Sequence, residues 1–560
     1  MVTLVAVSAL GLAACSSGGT SPGTGSTSSG SGSTGGSTTA AFDAANGQIF
    51  NPSTKTGGII TMADEGEPDS TDPGDSYYGY TWDLMRLYGR GLVMFNIAPG
   101  DGSNKLSGDL ATDLGKATDN AKTWTYTLKD GVKFEDGTPI TSKDIKYAIT
   151  RTLDKDIFPD SPTYFDDLLA WPADYKGAYK SKDVNTDSAI STPDDKTIVF
   201  HLKNSFSSFD YLMTTSQSYP VPAAKDTGAK YKEHPVSSGP YMFSSYEAGK
   251  KFTLVRNPNW DPKTDPQRKA LPDGYEYTMN VNQEDIDNRI IAGELDVHVT
   301  GTGITPASQS KVLSDPTLKA RADNPTLARL WYTSINPTVK PLDNKDCRIA
   351  IMYAMDRTAY QTAYGGQFAG GSIATSLMPA LIPGALKDDF YPRAGNKADL
   401  AKAKEHLAAC GQPNGFETTM AFRTERPKEK ALAEAFQAEL AKVGIKLTLK
   451  GYPKKDYFST YAGNPPFVVK NNIGMAANGW GADWNDGYGF LSQIVDSRVI
   501  RETGGSSNSS VRIPEVDKML DEAAVETDNA KREALYGAID KKVMEEAVIF
   551  PGLHAKSLLL

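Results

Sequence analysis

The stretch WTYTLKDGVKFEDGTPITSKDIKYAITR, residues 124–151, decides the fold of this chain. Apolar and polar residues alternate at its start, which predicts a half-buried strand. The apolar positions of that strand are Trp124, Tyr126 and Leu128. The dipeptides Asp130-Gly131 and Asp136-Gly137 predict two turns flanking a short second strand. Thr141, with Asp144 three residues later, predicts a capped helix start ahead of an apolar stripe. That stripe consists of Ile145, Ala148 and Ile149.

As a whole, the stretch resembles the signature of the extracellular solute-binding proteins of ABC importers, in the family that takes up oligopeptides, dipeptides and nickel. The family pattern runs from a Trp and a Tyr-rich strand through Gly-Val-x-Phe-x-Asp-Gly-x-Pro to Thr-x-x-Asp-Val at a helix start. Further matches to the family occur at 235–241, 292–296 and 348–357. The resemblance implies an α/β, two-lobed periplasmic-binding-protein-like fold of type II, with an extra inserted subdomain in lobe I.

The length of the chain also requires more than one domain, because a single hydrophobic core stops growing at roughly 250–300 residues. We predict lobe I at 56–325, with the inserted subdomain at about 95–205. Lobe II is predicted at 326–546, and 547–560 is predicted as a return strand to lobe I. Hinge closure of two such lobes around a ligand is the motion that this design permits.

The first residues predict export. Residues 1–14 are uncharged and apolar and predict a signal peptide too short to span a bilayer. Residues 12–15 resemble a bacterial lipobox, which implies lipidation of Cys15; an ordinary signal peptide with an incidental Cys is the alternative. The first basic residue is Lys55, so the usual basic start of a signal peptide is missing, which predicts a start site further upstream. We expect an extracellular protein anchored to the cell membrane, or a periplasmic one in a Gram-negative cell.

Residues 15–55 are predicted to form a flexible tether. Ser, Gly, Thr, Pro and Ala alone make up 16–40, so this segment has no large apolar side chain to bury. A flexible coil of this length spans about 35 Å. A lipid anchor with such a tether suits a protein that has to find a membrane partner while remaining outside the cell.

Composition excludes several classes of function. The net charge of −9 argues against nucleic acid, which requires clustered Lys and Arg. The five His residues are scattered and none has the spacing of a metal site. No phosphate-binding, dinucleotide-binding or nucleophile motif occurs, so we predict no enzyme, no cofactor and no metal.

Two Cys residues remain after Cys15, namely Cys347 and Cys410. Export to an oxidising environment favours a disulfide between them, and two buried thiols are the alternative. The disulfide would brace one lobe without taking part in chemistry.

The segment 479–487, Gly-Trp-Gly-Ala-Asp-Trp-Asn-Asp-Gly, is the candidate ligand site. A carboxylate between aromatic residues suits an ammonium group through charge pairing and cation–π contact. In peptide-binding members of the family, an Asp in a Trp-x-x-Asp motif holds the α-amino group of the peptide, which implies that role for Asp483. Trp480 and Trp484 are predicted walls, and Tyr77 and Tyr78 are predicted to face them from lobe I. The alternative is that Asp483 caps a turn and both Trp side chains are core.

We therefore interpret the chain as a monomeric, lipid-anchored receptor that captures oligopeptides and delivers them to an ABC transporter permease. The rival solutes are a nickel complex, an opine or a glycoside, because the fold does not fix the ligand. An exported peptide or glycan hydrolase is the rival from another class, and so is a signalling receptor without a transport role.

Overall fold

The computed structural model describes residues 49–508, 511–526 and 528–560. The predicted signal peptide, Cys15 and the predicted tether as far as residue 48 lie outside the described residues. The described chain is a mixed α/β structure with sheets in two lobes.

A five-stranded sheet forms the centre of the first lobe. Its strands are β1 (Ile59–Ala63), β8 (Tyr241–Glu247), β9 (Lys251–Arg256), β10 (Gly274–Thr278) and β11 (Val297–His298). They lie in the order β11-β1-β10-β9-β8. Strand β1 is parallel to both of its neighbours, and β9 is antiparallel to both β10 and β8. Phe252, Leu254 and Tyr277 are buried on one face of this sheet, in a cluster with Met85.

An inserted subdomain within the first lobe carries its own sheet and core. Its strands are β2 (Val93–Phe95), β3 (Leu106–Gly108), β4 (Lys116–Thr118), β5 (Thr123–Thr127), β6 (Ile190–Ser191) and β7 (Thr197–His201). Four of them form an antiparallel sheet in the order β4-β5-β7-β6, and β2 pairs with β3.

The predicted local structure of 124–151 is largely confirmed. Strand β5 buries Trp124 and Tyr126, and helix α2 (Ser142–Arg151) starts at a capping box formed by Thr141 and Asp144. Gly131 and Gly137 have φ values of 78° and 85°, the left-handed region that these turns require. The predicted second strand is reduced to one bridge, because the chain turns back at once and the Phe134 amide donates to the Thr138 carbonyl.

The other helices of the first lobe surround these sheets. They are α1 (Gly79–Tyr88), α3 (Tyr164–Leu168), α4 (Phe209–Leu212), α5 (Gln283–Ala292), α6 (Pro306–Ser314) and α7 (Pro316–Arg321).

A six-stranded sheet forms the centre of the second lobe. Its strands are β12 (Thr326–Ile335), β13 (Gly371–Ile373), β14 (Glu417–Arg423), β15 (Lys446–Tyr452), β16 (Ile473–Gly481) and β17 (Ile549–Lys556). Their order is β13-β17-β12-β16-β14-β15, with β14 parallel to β15 and β16 and the other pairs antiparallel.

Helices pack on this second sheet, and the largest hydrophobic cluster lies between them and the strands. They are α8 (Lys345–Ala354), α9 (Arg357–Ala363), α10 (Gly366–Ala369), α11 (Leu400–Ala409), α12 (Pro427–Ala441), α13 (Pro465–Lys470), α14 (Gly487–Val495), α15 (Pro514–Val525) and α16 (Asn529–Glu545).

The end of the chain differs from the predicted return strand at 547–560. Strand β17 pairs with β12 and β13 inside the second sheet, so the chain leaves that sheet only after Lys556. The Leu558 carbonyl then accepts from the Ile304 amide at 2.9 Å, and the Ser557 hydroxyl donates to the Gly301 carbonyl. The contact with the first lobe, which we predicted for the whole segment 547–560, is therefore made by residues 557–560.

Cys347 and Cys410 form a disulfide between α8 and the end of α11, with their Cα atoms 5.4 Å apart. Cys347 is fully buried. The bond lies within the second lobe.

Candidate functional site

A cavity that is partly open to solvent lies between the two lobes. Residues of the first lobe and its inserted subdomain line one wall, including Asp69, Tyr77, Tyr78, Trp82 and Asp160. The opposite wall comes from the strands and loops of the second lobe, including Arg329, Trp331, Arg423, Arg426, Trp480 and Asp483. Ligand sites commonly occur at such boundaries between domains.

Asp483 reaches this cavity from the loop that joins β16 to α14. Its amide donates to the Gly489 carbonyl at 3.1 Å, which fixes the loop against the start of the helix. Asp486 caps α14 by accepting from the Tyr488 amide. A Cβ at Gly487 would lie 2.2 Å from the Tyr536 ring, so this close approach requires Gly.

Two tyrosine hydroxyls from the first lobe donate to Asp483. Tyr77 donates to Oδ2 at 2.7 Å, and Tyr164 donates to the same oxygen. Oδ1 accepts no hydrogen bond from the described residues, and no Lys, Arg or His among them forms an ion pair with this carboxylate. Burial raises the pKa of Asp483 to about 7, while the two hydroxyls oppose that rise. The site thus holds an acceptor whose negative charge has no protein cation to balance it.

The aromatic residues predicted around Asp483 have different positions. Tyr77 stands edge-on to Trp480, with ring centroids 5.9 Å apart, and both line the cavity. Tyr78 also lines it, and its hydroxyl donates to the Lys454 carbonyl at 3.3 Å. These three residues line the same cavity as Asp483.

Trp484 does not line the cavity. It is buried in the hydrophobic cluster of the inserted subdomain, where its ring lies 5.0 Å from the ring of Tyr164. The side chain therefore packs behind a residue that holds Asp483, instead of forming the wall we predicted. Asp483 and Trp484 are adjacent in one loop but face different surroundings. Asp483 lines the cavity, whereas the Trp484 ring packs in the apolar cluster of the inserted subdomain.

Several residues in or beside the cavity were not found from the sequence. Tyr164 lies at the start of the short helix α3, in a segment without any motif. Arg329 is the one charged residue of β12, TLARLWYTSI, and that charge is the signal that could have indicated it. Asp160 lines the cavity too, and burial raises the pKa of its carboxyl to about 7.

A second set of charges joins the lobes beside the cavity. Lys454 of the second lobe donates to Asp64 of the first, with its Nζ atom 3.0 Å from Oδ1 and 3.2 Å from Oδ2. Both side chains are almost completely buried. The ammonium group also lies over the Tyr80 ring, 4.8 Å from its centroid.

Asp64, Glu65 and His298 form the one group among the described residues whose ligand atoms are close enough to hold a metal ion. Glu65 and His298 are 2.9 Å apart, and the ammonium group of Lys454 contacts Asp64. Lys454 already pairs with Asp64, and His298 already contacts Glu65, so the donors of this group are engaged within the protein.

Among the described residues, no helix is both long and apolar enough to span a bilayer.

Comparison with known proteins places this geometry among binding proteins. The model of the family described as bacterial extracellular solute-binding proteins, family 5 Middle, matches residues 105–501. The chain is 26% identical to oligopeptide-binding protein OppA of Bacillus subtilis over 575 residues, covering 98% of this chain and 93% of the relative.

Solved structures show the same fold. Clavulanic acid biosynthesis oligopeptide binding protein 2 superposes with a TM-score of 0.85 at 38% identity, covering 93% of this chain and 94% of that one. The binding protein AgaA of A. tumefaciens R10, solved with agropinic acid, has a TM-score of 0.69 at 22% identity, covering 89% and 92%. The predicted two-lobed α/β fold with an inserted subdomain is confirmed.

Proposed function

The chain belongs to family 5 of the bacterial extracellular solute-binding proteins, and we propose that it captures oligopeptides between its lobes and delivers them to an ABC transporter permease. Membership of this family makes it a binding protein and not an enzyme. Two of its relatives carry oligopeptide binding in their names, which supports peptides over other solutes.

The single observation that carries the proposal is the unpaired carboxylate of Asp483 in the wall of the cavity. An α-ammonium group at Oδ1 would supply the missing positive charge, and the two tyrosine hydroxyls already orient the carboxylate. Trp480 and Tyr77 would enclose the ammonium group and exclude water, which strengthens the pairing. The rest of a peptide could then bind through main-chain hydrogen bonds, which do not discriminate between side chains.

The first test of the proposal is the loss of charge at Asp483. Asp483→Asn should weaken the binding of a free-amine peptide by at least about tenfold, the effect of some 1.4 kcal/mol. The N-acetylated form of the same peptide should bind weakly and equally to both proteins. Isothermal titration with alanine peptides of two to five residues measures both. Equal losses for the free and acetylated peptides would rule out capture of the amine.

Asp210→Asn is the matched control. Asp210 also accepts a tyrosine hydroxyl, from Tyr126 at 2.8 Å, and burial raises the pKa of its carboxyl, but it does not line the cavity. This variant should bind the free-amine peptide as the unaltered protein does. Native mass spectrometry of protein purified from peptide-rich medium then identifies the solute, since a single non-peptide adduct would favour an opine, glycoside or nickel complex.

We also propose that a lipid on Cys15 anchors the protein to the membrane, with residues 16–55 as the tether. Cys15→Ser should abolish incorporation of a labelled fatty acid and release the protein from the membrane fraction, whereas Ser16→Ala should change neither. Labelling that persists in the Cys15→Ser variant would contradict the lipid anchor.

A further inference from the structure

A loop of the second lobe lies beside the cavity and contacts the inserted subdomain. This loop, residues 501–508, belongs to the segment between α14 and α15, and we call it the rim loop. Gly505 and Ser507 of the rim loop line the cavity, and Asp160 lines it from the inserted subdomain. A Cβ at Gly505 would lie 3.2 Å from the Pro159 carbonyl oxygen, so the two backbones are close. The two lobes therefore meet here within the cavity wall.

Arg501 joins the rim loop to the inserted subdomain. Its Nη1 atom donates to the Pro159 carbonyl at 3.1 Å, and its Nη2 atom donates to the Ser161 carbonyl at 3.0 Å. We call this contact of Arg501 with Pro159 and Ser161 the clasp. The two carbonyls flank Asp160, so one guanidinium group holds the backbone on both sides of a residue in the cavity wall. A charged donor makes such hydrogen bonds stronger than those between neutral groups.

The loop that accepts these hydrogen bonds is itself fixed to the inserted subdomain. The buried Gln217 amide group donates to the Ser161 hydroxyl at 2.7 Å and to the Pro162 carbonyl at 3.0 Å. Tyr164, three residues after Ser161, donates to Asp483. The clasp therefore acts on a braced segment that continues directly into the candidate ligand site.

The rim loop is fixed to its own lobe as well. The Gly505 amide donates to the Phe458 carbonyl at 2.9 Å. Gly504 and Gly505 have φ values of 99° and 82°, and a Cβ at Gly504 would lie 1.9 Å from the Ser459 carbonyl oxygen. Glycine at these positions allows the loop to lie close against the second lobe. The rim loop therefore moves with that lobe, and the clasp has to break whenever the lobes separate.

Arg501 has no carboxylate partner in the part of the chain that the structure describes. Its guanidinium group forms no ion pair there, and its buried Nε atom has no hydrogen-bond partner. Two neutral carbonyls attract a cation less strongly than the buried carboxylate of Asp64 attracts Lys454. The clasp is therefore a contact that can form and break repeatedly, beside a stronger one that also joins the lobes.

We propose that the clasp holds the closed lobes together and sets the rate at which a bound solute is released. The proposal rests on the proposed function and adds the control of release to it. Arg501 does not line the cavity, so loss of the clasp destabilises the closed form whether or not a solute lies between the lobes. Release then becomes faster and entry does not become slower, which distinguishes Arg501 from a residue that binds the solute.

Stopped-flow tryptophan fluorescence tests the proposal, because Trp331 and Trp480 line the cavity. The observed rate against the concentration of alanine peptides of two to five residues gives both rate constants. Arg501→Met should raise the dissociation rate constant of the best binder by at least about tenfold without lowering its association rate constant. Arg501→Lys, which keeps the charge but not the fork of donors, should lie between the two proteins. An unchanged dissociation rate constant in Arg501→Met would overturn the inference.

Arg512→Met is the matched control. Arg512 contacts Glu502 of the rim loop, with its Nη2 atom 3.2 Å from Oε1, and both side chains are exposed. The substitution removes a cation that contacts the same loop but leaves the clasp in place, so both rate constants should stay unchanged. An equal rise in dissociation for Arg512→Met and Arg501→Met would assign the effect to the loop as a whole and overturn the role of the clasp.

Hydrogen exchange without ligand tests the clasp independently of any peptide. In Arg501→Met, the amides of residues 158–162 should exchange at least about twofold faster than in the unaltered protein. Ser161 lies 340 positions from Arg501 in the chain, so the effect can reach it only through the folded contact. Arg512→Met should leave the exchange of 158–162 unchanged.

The two measurements distinguish the inference from the proposed function. If no alanine peptide binds but 158–162 exchange faster in Arg501→Met, the clasp is supported and the proposed solute is wrong. Unchanged exchange of 158–162 in Arg501→Met overturns the inference whether or not peptides bind, because it means that the clasp does not form in solution.

Discussion

Two carboxylates lie at the boundary between the lobes, Asp64 buried and Asp483 partly buried, and they are balanced in opposite ways. Asp64 of the first lobe already has its cation, because Lys454 crosses from the second lobe to contact it. Asp483 of the second lobe meets two neutral tyrosine hydroxyls from the first. Burial raises the pKa of both groups, but only at Asp64 does a protein ammonium oppose the rise. The first pair can hold the lobes together without ligand, whereas the second position is complete only when a cation arrives.

The largest effect, a fall in the free energy of unfolding, is expected from breaking the Asp64–Lys454 ion pair. Lys454→Met keeps most of the buried stem but leaves Asp64 without a cation, which costs about 3–5 kcal/mol for a buried pair. We expect the free energy of unfolding to fall and the lobes to separate, because an open cleft lets water reach Asp64. Guanidinium denaturation and small-angle X-ray scattering measure the two changes.

Lys455→Met is the control for this prediction. Lys455 is the next residue, but its side chain is half exposed and lies 3.6 Å from Glu67, so its removal should cost less than about 1 kcal/mol. Equal effects of the two substitutions would show that the Asp64–Lys454 pair does not hold the lobes.

The next effect is the pH dependence of binding at the unpaired carboxylate. Because the pKa of Asp483 is raised to about 7, the ionised form that attracts an ammonium group develops as the pH rises towards 7. Affinity for a free-amine alanine peptide should therefore increase by about tenfold from pH 5 to pH 6 and by about fivefold from pH 6 to pH 7. Titrations at intervals of half a pH unit measure this slope.

Two variants identify the group that titrates. Asp483→Asn should flatten the profile, while Asp160→Asn should retain it, although the pKa of that carboxyl is also raised to about 7. The facing hydroxyls of Tyr77 and Tyr164 do not titrate in this range, since burial raises their pKa values well above the ordinary one. A slope that survives in Asp483→Asn would assign the effect elsewhere.

The raised pKa of Asp483 has the opposite effect on the stability of the ligand-free protein, which falls as the pH rises. Folded Asp483 holds its proton more tightly than the unfolded chain does, so its contribution is complete below about pH 4 and is lost as the pH rises through about 7. At pH 8, Asp483→Asn should therefore raise the melting temperature of the free protein.

The smallest effect is expected from one hydroxyl group. Tyr164→Phe removes a donor to Asp483 while keeping the ring that packs on Trp484, and a hydrogen bond to a charged group is worth about 1.5–3 kcal/mol at most. The midpoint of the pH profile should move up by roughly one unit. Tyr126→Phe, which removes the equivalent donor to Asp210, should leave the profile unchanged.

The sequence predicted the parts of the molecule that depend on local patterns. Period-two alternation located β5, and the Thr141–Asp144 spacing located the start of α2. Such signals act over a few residues and so can be read directly from the chain.

The site was predicted only where a motif carried it. Asp483 was predicted through its family motif, but Tyr164 lies 319 residues away and has no pattern of its own. Lys454 likewise resembles an ordinary surface lysine, and only folding brings it to Asp64 across 390 residues. The predicted role of Trp484 failed for the same reason, since nothing local shows that an apolar cluster of the other lobe receives its ring.

That placement of Trp484 makes the boundary between the lobes sensitive to temperature. Trp484 and Tyr488 of the second lobe pack into the hydrophobic cluster of the inserted subdomain, where Tyr488 lies edge-on to Phe206 at 5.2 Å. Opening the lobes would hydrate these rings, and hydration of apolar surface carries a large positive heat capacity. The hydrophobic share of closure therefore weakens on cooling, and a cold cell would depend more on the charges of its ligand to keep the lobes shut.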